Sequence, residues 1–309
     1  MSARKGAGRV VGLGLCVVDH LYVVEALDPR AERVRYVERR VTSGGMVGNA
    51  LVQVARLGCA AHVLSLVGDD AEGRFVRRTL SAAGVVTRRL VRDARRPTTV
   101  AVVQVERRSG ARRFLVADRR RLERGVPAFD LTPIDARAVL LVDGHFPAQA
   151  LRAVRRARAV GAPVVADFHR PLPELLRLLP YVDYPIVPLE FARAYAPGAP
   201  REALRRLHAE SGGTPVVTLG ARGGLYLDAG RVRRFDAPRV RVRDTTGAGD
   251  AFHGAFAAGL CQALALRTNL ERAARAGALC CTALGPAGRL MTRAEGAAFQ
   301  RRRARQRGV

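Results

Sequence analysis

The residues best suited to chemistry lie in one short segment, Asp244 to Asp250, with the sequence Asp-Thr-Thr-Gly-Ala-Gly-Asp. An apolar run with helical spacing, from 251 to 260, follows it directly. Glycines let the backbone approach a ligand, and the free N–H groups of a helix's first turn attract phosphate. A carboxylate beside a phosphate, here Asp250, is expected where it takes a proton from the group that attacks the phosphate. The segment therefore predicts a phosphoryl-transfer site with its own general base.

A second glycine-rich turn, Gly44-Gly45, also runs into a helical pattern, with Asn49 in the first helical turn. Adjacent glycines bring backbone N–H groups to a polar ligand, and the Asn49 amide offers both a donor and an acceptor. This combination suits a polyol better than a phosphate, although a tight turn with Asn49 as a local cap is the alternative. Asp19 follows the first predicted strand at its carboxyl end, where ligands of open α/β sheets gather, and it can accept two sugar hydroxyls.

The composition is that of a soluble protein with a substantial core. The chain has 309 residues, of which 48% are hydrophobic. No stretch of it approaches the roughly 18 consecutive apolar residues of a membrane span, so we predict a cytoplasmic protein without a membrane partner. The five cysteines have no C-x-x-C spacing, which favours reduced thiols over a disulfide framework or a zinc site.

The net charge of +26 raises the hypothesis of nucleic-acid binding, but the distribution of the charge argues against it. Arginines are scattered along the whole chain, aromatic residues make up only 5%, and tryptophan is absent. The dense cluster at 301–307 is expected to be a solvated helix end. Lys5 is the only lysine, which excludes the lysine-based ATP sites of P-loop proteins and protein kinases.

The remaining sequence predicts strands that alternate with helices, which is typical of a mostly parallel sheet covered on both faces. The predicted strands are 9–18, 63–67, 138–142, 163–166, 185–187 and 215–219. The predicted helices are 48–57, 73–83, 147–160, 201–211, 251–264, 270–284 and 293–303.

Two segments interrupt this alternation, at about 33–43 and 97–118, and their polar and apolar residues alternate as in strands exposed on one face. We predict that they form a flap over a ligand cleft, with a plain edge hairpin as the alternative. Because the chain has neither an internal repeat nor a low-complexity linker, we predict a single domain over 1–309 with these segments as its lid.

Four motifs occur in the order found in the ribokinase-like (pfkB) carbohydrate kinase family, which the chain resembles from about 10 to 299. They are Gly44-Gly45-x-x-x-Asn49, Val67-Gly68-Asp69-Asp70-x-x-Gly73, Thr218-x-Gly220-x-x-Gly223 and the segment from Asp244 to Asp250. The resemblance implies a three-layer α/β/α sandwich, a small β-sheet lid, and Mg²⁺-dependent transfer of the ATP γ-phosphate to a hydroxyl, usually on a sugar. It also allows a homodimer that pairs through the lid.

The family's functional residues can be carried over position by position. In this resemblance Asp250 is the base, and the N–H groups of Gly247, Ala248 and Gly249 form the anion hole. The positions that hold sugar hydroxyls are Asp19, Gly44, Gly45 and Asn49. Those at the nucleotide are Thr218, Gly220, Gly223, Thr245 and Gly285. Asp244 and Thr246 fall where some members bind a monovalent cation such as K⁺.

The chain departs from the family at the motif N-x-x-E, whose Asn and Glu organise Mg²⁺ through water. Glu190 is present, but no asparagine lies nearby in the sequence. The runs 142–147 and 190–192 resemble the branch with ketohexokinases and sulfofructose kinases. The leading hypothesis is therefore a sugar kinase acting on a primary hydroxyl. A nucleoside kinase and a non-catalytic sensor of sugar or nucleotide are the alternatives.

Overall fold

The computed structural model of the protein describes residues 8–118, 123–196, 198 and 200–307, with side chains up to residue 301. A large central sheet contains β1 (Arg9–Leu13), β4 (Ala60–Leu64), β6 (Val85–Val86), β10 (Ala138–Val142), β11 (Val164–Asp167), β12 (Tyr184–Pro188), β13 (Val216–Thr218), β14 (Gly224–Asp228) and β15 (Arg231–Phe235). The strands lie in the order β15-β14-β13-β12-β11-β10-β1-β4-β6, and every neighbouring pair from β13 to β6 is parallel. In this order β1 lies between β4 on one side and β10 on the other, so successive connections run to opposite sides of β1. This makes the carboxyl end of β1 a switch point, where open α/β sheets bind ligands.

Helices cover both faces of this sheet. They are α1 (Met46–Arg56), α2 (Ala71–Ala82), α3 (Pro147–Val160), α4 (Pro173–Leu176), α5 (Leu189–Tyr195), α6 (Pro200–Ser211), α7 (Ala248–Cys261), α8 (Leu266–Cys280) and α9 (Arg293–Arg307). Alternate strand residues face opposite layers. Val10 packs with the core of α1, α2, α7 and α8, whereas Val11 packs with the core of α3 to α6. The three-layer fold implied by the resemblance is confirmed. The basic cluster at 301–307 lies in α9, with Arg301 exposed and the side chains of 302–307 outside the described residues.

A second, four-stranded sheet contains β2 (Val17–Val24), β3 (Tyr36–Gly44), β8 (Val100–Glu106) and β9 (Arg112–Leu115), in the order β3-β2-β8-β9. The two predicted lid segments thus meet in one sheet, but β2 lies between them. A short parallel pair, β5 (Leu66–Gly68) and β7 (Val91–Asp93), lies separately. Asp70 caps α2 by accepting from Gly73 N at 2.7 Å, and its carboxylate also accepts from Thr98 N, next to β8, at 2.6 Å.

The prediction of one strand over 9–18 is wrong. The chain leaves the central sheet after Leu13 and enters the small sheet at Val17. Asp143, directly after β10, holds the chain at this break: its carboxylate accepts from Leu15 N at 2.8 Å, and a Cβ atom on Gly14 would lie 2.2 Å from it. An apolar run cannot reveal such a break, because both halves are buried.

None of the described helices is long and apolar enough to cross a membrane.

Candidate active site

Two helix N-termini bring the predicted base and the predicted polyol site together. Asn49 lies in the first turn of α1 and Asp250 in the first turn of α7. The Asn49 side-chain amide donates a hydrogen bond to Asp250 Oδ2 at 2.7 Å. The helices approach closely because Gly254 has no side chain; a Cβ atom there would lie 2.2 Å from Ala50 O. The N-cap of α1 is Gly45, so Asn49 is not the local cap that the sequence left as the alternative.

The turn before α7 has the shape of an anion cradle. Gly247 is the N-cap with φ +78°, and a Cβ atom on it would lie 2.4 Å from Pro286 Cβ. Gly249 is exposed, and a Cβ atom on it would have no neighbour within 4 Å. The space over the first turn is therefore open to a ligand. The Ala248 N–H makes a long contact of 3.3 Å with Thr245 O, which leaves this amide only weakly engaged.

The surroundings of Asp250 favour a protonatable carboxyl group. Burial, followed by the negative charge of Asp167, raises the pKa of Asp250 well above its ordinary value. The hydrogen bond from Asn49 and the positive charge of Arg112 on β9 oppose this rise, whereas Asp19 adds to it. A carboxylate with a raised pKa is a stronger base and suits general-base chemistry.

Asp167 is a member of the site that the sequence analysis missed. It is the last residue of β11, it is buried, and its Oδ2 lies 3.2 Å from Nδ1 of His253. His253 Nδ1 also lies 2.8 Å from Gly249 O, so this buried histidine joins Asp167 to the first turn of α7. From the sequence, the position of His253 one turn after Asp250 allows either helix packing or contact with the substrate. The position of Asp167 in the sequence could have revealed it as a site residue, since it directly follows a predicted strand at the ligand-binding edge of the sheet.

Asp143 is the second missed residue, and its role is to hold the backbone. Its carboxylate accepts from Leu15 N at 2.8 Å, from Val47 N at 3.2 Å and from His145 N at 3.0 Å. Burial disfavours its charge, but the charge of His145 and the hydrogen bonds from His145 and from Leu15 N together lower the pKa of Asp143. It therefore fixes the turn after β1 against the start of α1. Like Asp167, it follows a predicted strand directly.

Asp19 lies on β2 beside the glycine turn. A Cβ atom on Gly44 would lie 2.1 Å from Asp19 Oδ2, so only glycine fits beside this carboxylate. Gly45, with φ +87°, is equally restricted, since a Cβ atom there would lie 2.3 Å from Leu15 O. Burial raises the pKa of Asp19 to about 7. The negative charges of Asp19 and Asp167 both raise the pKa of Asp250.

Asp244 connects the anion cradle to the loop at Gly285. It is fully buried, and its two oxygens accept from Thr246 N and Gly285 N, each at 2.8 Å. The Thr245 hydroxyl donates to Gly110 O at 3.2 Å, in the turn between β8 and β9, and so joins the cradle to the small sheet. Thr246 Oγ1 is buried and has no hydrogen-bond partner among the described residues.

The other predicted nucleotide residues lie at the carboxyl end of β13, two strands from β11. Thr218 Oγ1 donates to Val187 O at 3.5 Å. Gly220 (φ +59°) and Gly223 (φ +78°) bracket the short turn into β14. Glu190 is exposed in the first turn of α5. Within the described part of the chain, no group of three or more His, Cys, Asp or Glu side chains could hold a metal ion by itself.

Comparison with known proteins gives the context for this site. Residues 7–293 match the model of the pfkB family carbohydrate kinases. The chain is 31% identical to an aminoimidazole riboside kinase of Salmonella typhimurium over 234 aligned residues. This alignment covers 68% of this chain and 71% of that protein. It is 32% identical over 267 residues to a fructokinase of Klebsiella pneumoniae, with 78% and 86% covered. A crystal structure of a candidate ribokinase from Agrobacterium tumefaciens has a TM-score of 0.88 and 27% identity, with 97% and 99% covered.

Proposed function

The chain belongs to the pfkB family of carbohydrate kinases, and from this premise we propose that it transfers the γ-phosphate of ATP to a primary hydroxyl of a sugar. As a family member it is a phosphotransferase with an alcohol group as acceptor. The observation that carries the more specific proposal is the 2.7 Å contact between Asn49 Nδ2 and Asp250 Oδ2, at the mouth of an open helix N-terminus. A sugar held by Asn49 is then within reach of the base.

In this proposal Asp250 removes the proton from the accepting hydroxyl. Its raised pKa makes proton transfer from an alcohol less unfavourable at the moment when the oxygen attacks phosphorus. Asp19, Gly44, Gly45 and Asn49 hold the other hydroxyls of the sugar. The buried carboxylate of Asp19 accepts from them, and the glycines leave room for them beside the backbone.

The N–H groups of Gly247, Ala248 and Gly249 form the anion hole in this proposal. They stabilise the negative charge that grows on the transferred group, helped by the positive end of the α7 dipole. MgATP supplies the phosphoryl group when it is bound, and the cradle provides the open space that such an anion needs. Glu190 is the residue that we assign to Mg²⁺, acting through water in the manner of the family.

Thr218, Gly220, Gly223, Thr245 and Gly285 are assigned to the nucleotide. For Asp244 and Thr246 we propose a monovalent cation site, such as one for K⁺. The buried, unpartnered Thr246 Oγ1 supports this assignment, because a buried polar atom normally has a partner. Asp244 contributes mainly by holding Thr246 and Gly285 in place.

We propose one domain over 1–309 with the small sheet as its lid, in a cytoplasmic protein. Exposed apolar side chains on this sheet support a homodimer that pairs through it; among them are Tyr36, Val37, Phe114 and Leu115. That the chain belongs to the branch with ketohexokinases and sulfofructose kinases stays a prediction.

A nucleoside kinase is the second candidate, and the similarity to an aminoimidazole riboside kinase favours it. A panel of hexoses, ketoses, pentoses and nucleosides with MgATP, followed by ADP release and identification of the phosphorylated product, separates the two. Turnover of sugars alone supports the first proposal, and turnover of nucleosides alone supports the second. Thermal stabilisation by sugar and ATP without any product in the panel would favour a non-catalytic sensor and contradict both.

A further inference from the structure

A pair of cysteines, Cys59 and Cys261, lies at the opposite ends of the two helices that carry Asn49 and Asp250. Cys59 follows the end of α1, and Cys261 is the last residue of α7. Cys59 Sγ lies 3.7 Å from Ala258 O and 3.4 Å from Gln262 Nε2, two residues that flank Cys261 at the end of α7. Cys261 is buried and Cys59 half-buried. A small reagent can therefore reach the Cys59 thiol while Cys59 stays packed beside Cys261.

A buried arginine lies beside this pair. The Arg272 side chain on α8 is only 1% exposed. Its Nη1 donates to Gln262 Oε1 at 2.5 Å and its Nη2 to Ala255 O at 3.0 Å, while its Nε has no partner among the described residues. No carboxylate in the described part of the chain forms an ion pair with it, although a buried guanidinium normally has one. Burial lowers the pKa of Arg272, and the negative charge of a Cys59 thiolate acts in the opposite direction.

The other neighbours of Cys59 also stabilise its thiolate. Gln262 Nε2 donates to Cys59 Sγ at 3.4 Å, and the exposed Arg293 at the start of α9 adds a second positive charge. The hydrogen bond from Cys261 is the largest influence. Although burial opposes it, these groups together lower the pKa of Cys59 to about 7. A thiol in such surroundings is partly ionised near neutral pH, and the thiolate is the nucleophile.

The remaining cysteines have the opposite environment. Burial raises the pKa of Cys16 to about 12, and it also raises the pKa of Cys280 and of Cys281. Cys281 is half-buried like Cys59, so accessibility does not distinguish the two. The difference lies in the charges and hydrogen bonds around the sulfur.

We propose that Cys59 and Cys261 form a redox-active dithiol, in which Cys59 attacks a peroxide and Cys261 resolves the product as an intramolecular disulfide. In the first step the Cys59 thiolate attacks one peroxide oxygen, the O–O bond breaks, and the departing hydroxide takes a proton to become water. In the second step the Cys261 sulfur attacks the Cys59 sulfenic acid, the S–O bond breaks, and the hydroxyl leaves as a second water with the proton of Cys261. Two thiols are oxidised and one peroxide is reduced to two waters.

The cross-link would join the loop after α1 to the end of α7. These are the helices whose other ends hold Asn49 and Asp250, and they pack directly against each other at Gly254 and Ala50. The dithiol does not depend on the proposed sugar-kinase activity, because its chemistry involves only these side chains and the peroxide.

The test uses the full chain, hydrogen peroxide and peptide mass spectrometry. We expect a disulfide between the peptides of Cys59 and Cys261 that dithiothreitol reverses. In Cys261→Ser, Cys59 should instead accumulate as a sulfenic acid that dimedone traps, and Cys59→Ser should give neither product. Cys281→Ser is the matched control and should form the disulfide like the wild type.

A second measurement needs no variant. In native wild-type protein, iodoacetamide should alkylate Cys59 at least about tenfold faster than Cys281 at pH 7, because the reaction follows the thiolate fraction. Alkylation of Cys281 as fast as Cys59, or the lack of a Cys59–Cys261 disulfide in peroxide-treated wild type, would overturn the proposal.

Discussion

The side-chain amide of Asn49 donates a 2.7 Å hydrogen bond to the carboxylate of Asp250, across the junction of two helix N-termini. The two residues are 201 positions apart in the chain. The contact has a chemical meaning because it joins a group suited to sugar hydroxyls to a group suited to removing a proton from one. The same hydrogen bond lowers the pKa of Asp250, whereas the negative charge of Asp167 raises it.

Replacing Asp167 with Asn should move the acidic limb of the pH profile to lower pH. Asp250 must be ionised to act as a base, so kcat/KM falls as the pH drops through its pKa in the free enzyme. The negative charge of Asp167 raises that pKa. Its removal should lower the midpoint of the limb by roughly one unit. A pH series of kcat/KM measures this, and Asp228→Asn, an exposed carboxylate paired with Arg233, is the control that should leave the midpoint unchanged.

Replacing Asn49 with Ala should move the same limb in the opposite direction. The variant loses a hydrogen bond that favours the charged form of Asp250, so the pKa of Asp250 rises and the limb shifts to higher pH. The KM for the sugar should also rise, because one of its proposed partners is lost. The same pH series applies. A shift to lower pH, or no shift together with an unchanged KM, would contradict the role given to the Asn49–Asp250 contact.

Gly249→Ala should separate catalysis from folding. The new methyl group meets no protein atom within 4 Å, and alanine is favoured over glycine in helices by about 0.5–1 kcal/mol. Thermal unfolding should therefore occur at the same or a higher temperature. Because the methyl group would occupy the space assigned to the phosphate, kcat/KM for ATP should fall at least about tenfold. Gly8→Ala, whose Cβ would make only ordinary contacts of 3.5 Å or more, is the control; normal kinetics in Gly249→Ala would argue against the anion hole.

The sequence predicts those features that depend on short-range pattern. The continuous apolar run 138–142 is β10, and Pro147 to Val160 is α3 with its expected ends, because Pro starts the helix and Gly161 at φ +70° ends it. The Asp244 to Asp250 segment was recognisable for the same reason. Its chemistry is contained in seven neighbouring residues.

Features that depend on long-range contacts could not be predicted in this way. At the break after β1, Leu15 N donates to Asp143, which follows β10, and Gly14 has no room for a Cβ atom beside that carboxylate. Asp167 belongs to the site through its contact with His253, which reaches the start of α7, and through the effect of its charge on Asp250. The lid sheet includes β2, whose apolar residues read as a continuation of β1. Each of these depends on residues that only the folded chain brings together.

The most direct test of the central claim is the turnover of Asp250→Asn with the best substrate from the panel, beside ATP binding by the same variant. The account predicts that kcat falls about 10²- to 10⁴-fold, the usual contribution of a general base. The affinity for ATP should stay near that of the wild type, since the cradle amides and the nucleotide residues are unchanged. Asp228→Asn should turn over normally. An Asp250→Asn enzyme with near wild-type kcat would contradict the assignment of Asp250 as the base, and with it the proposed mechanism.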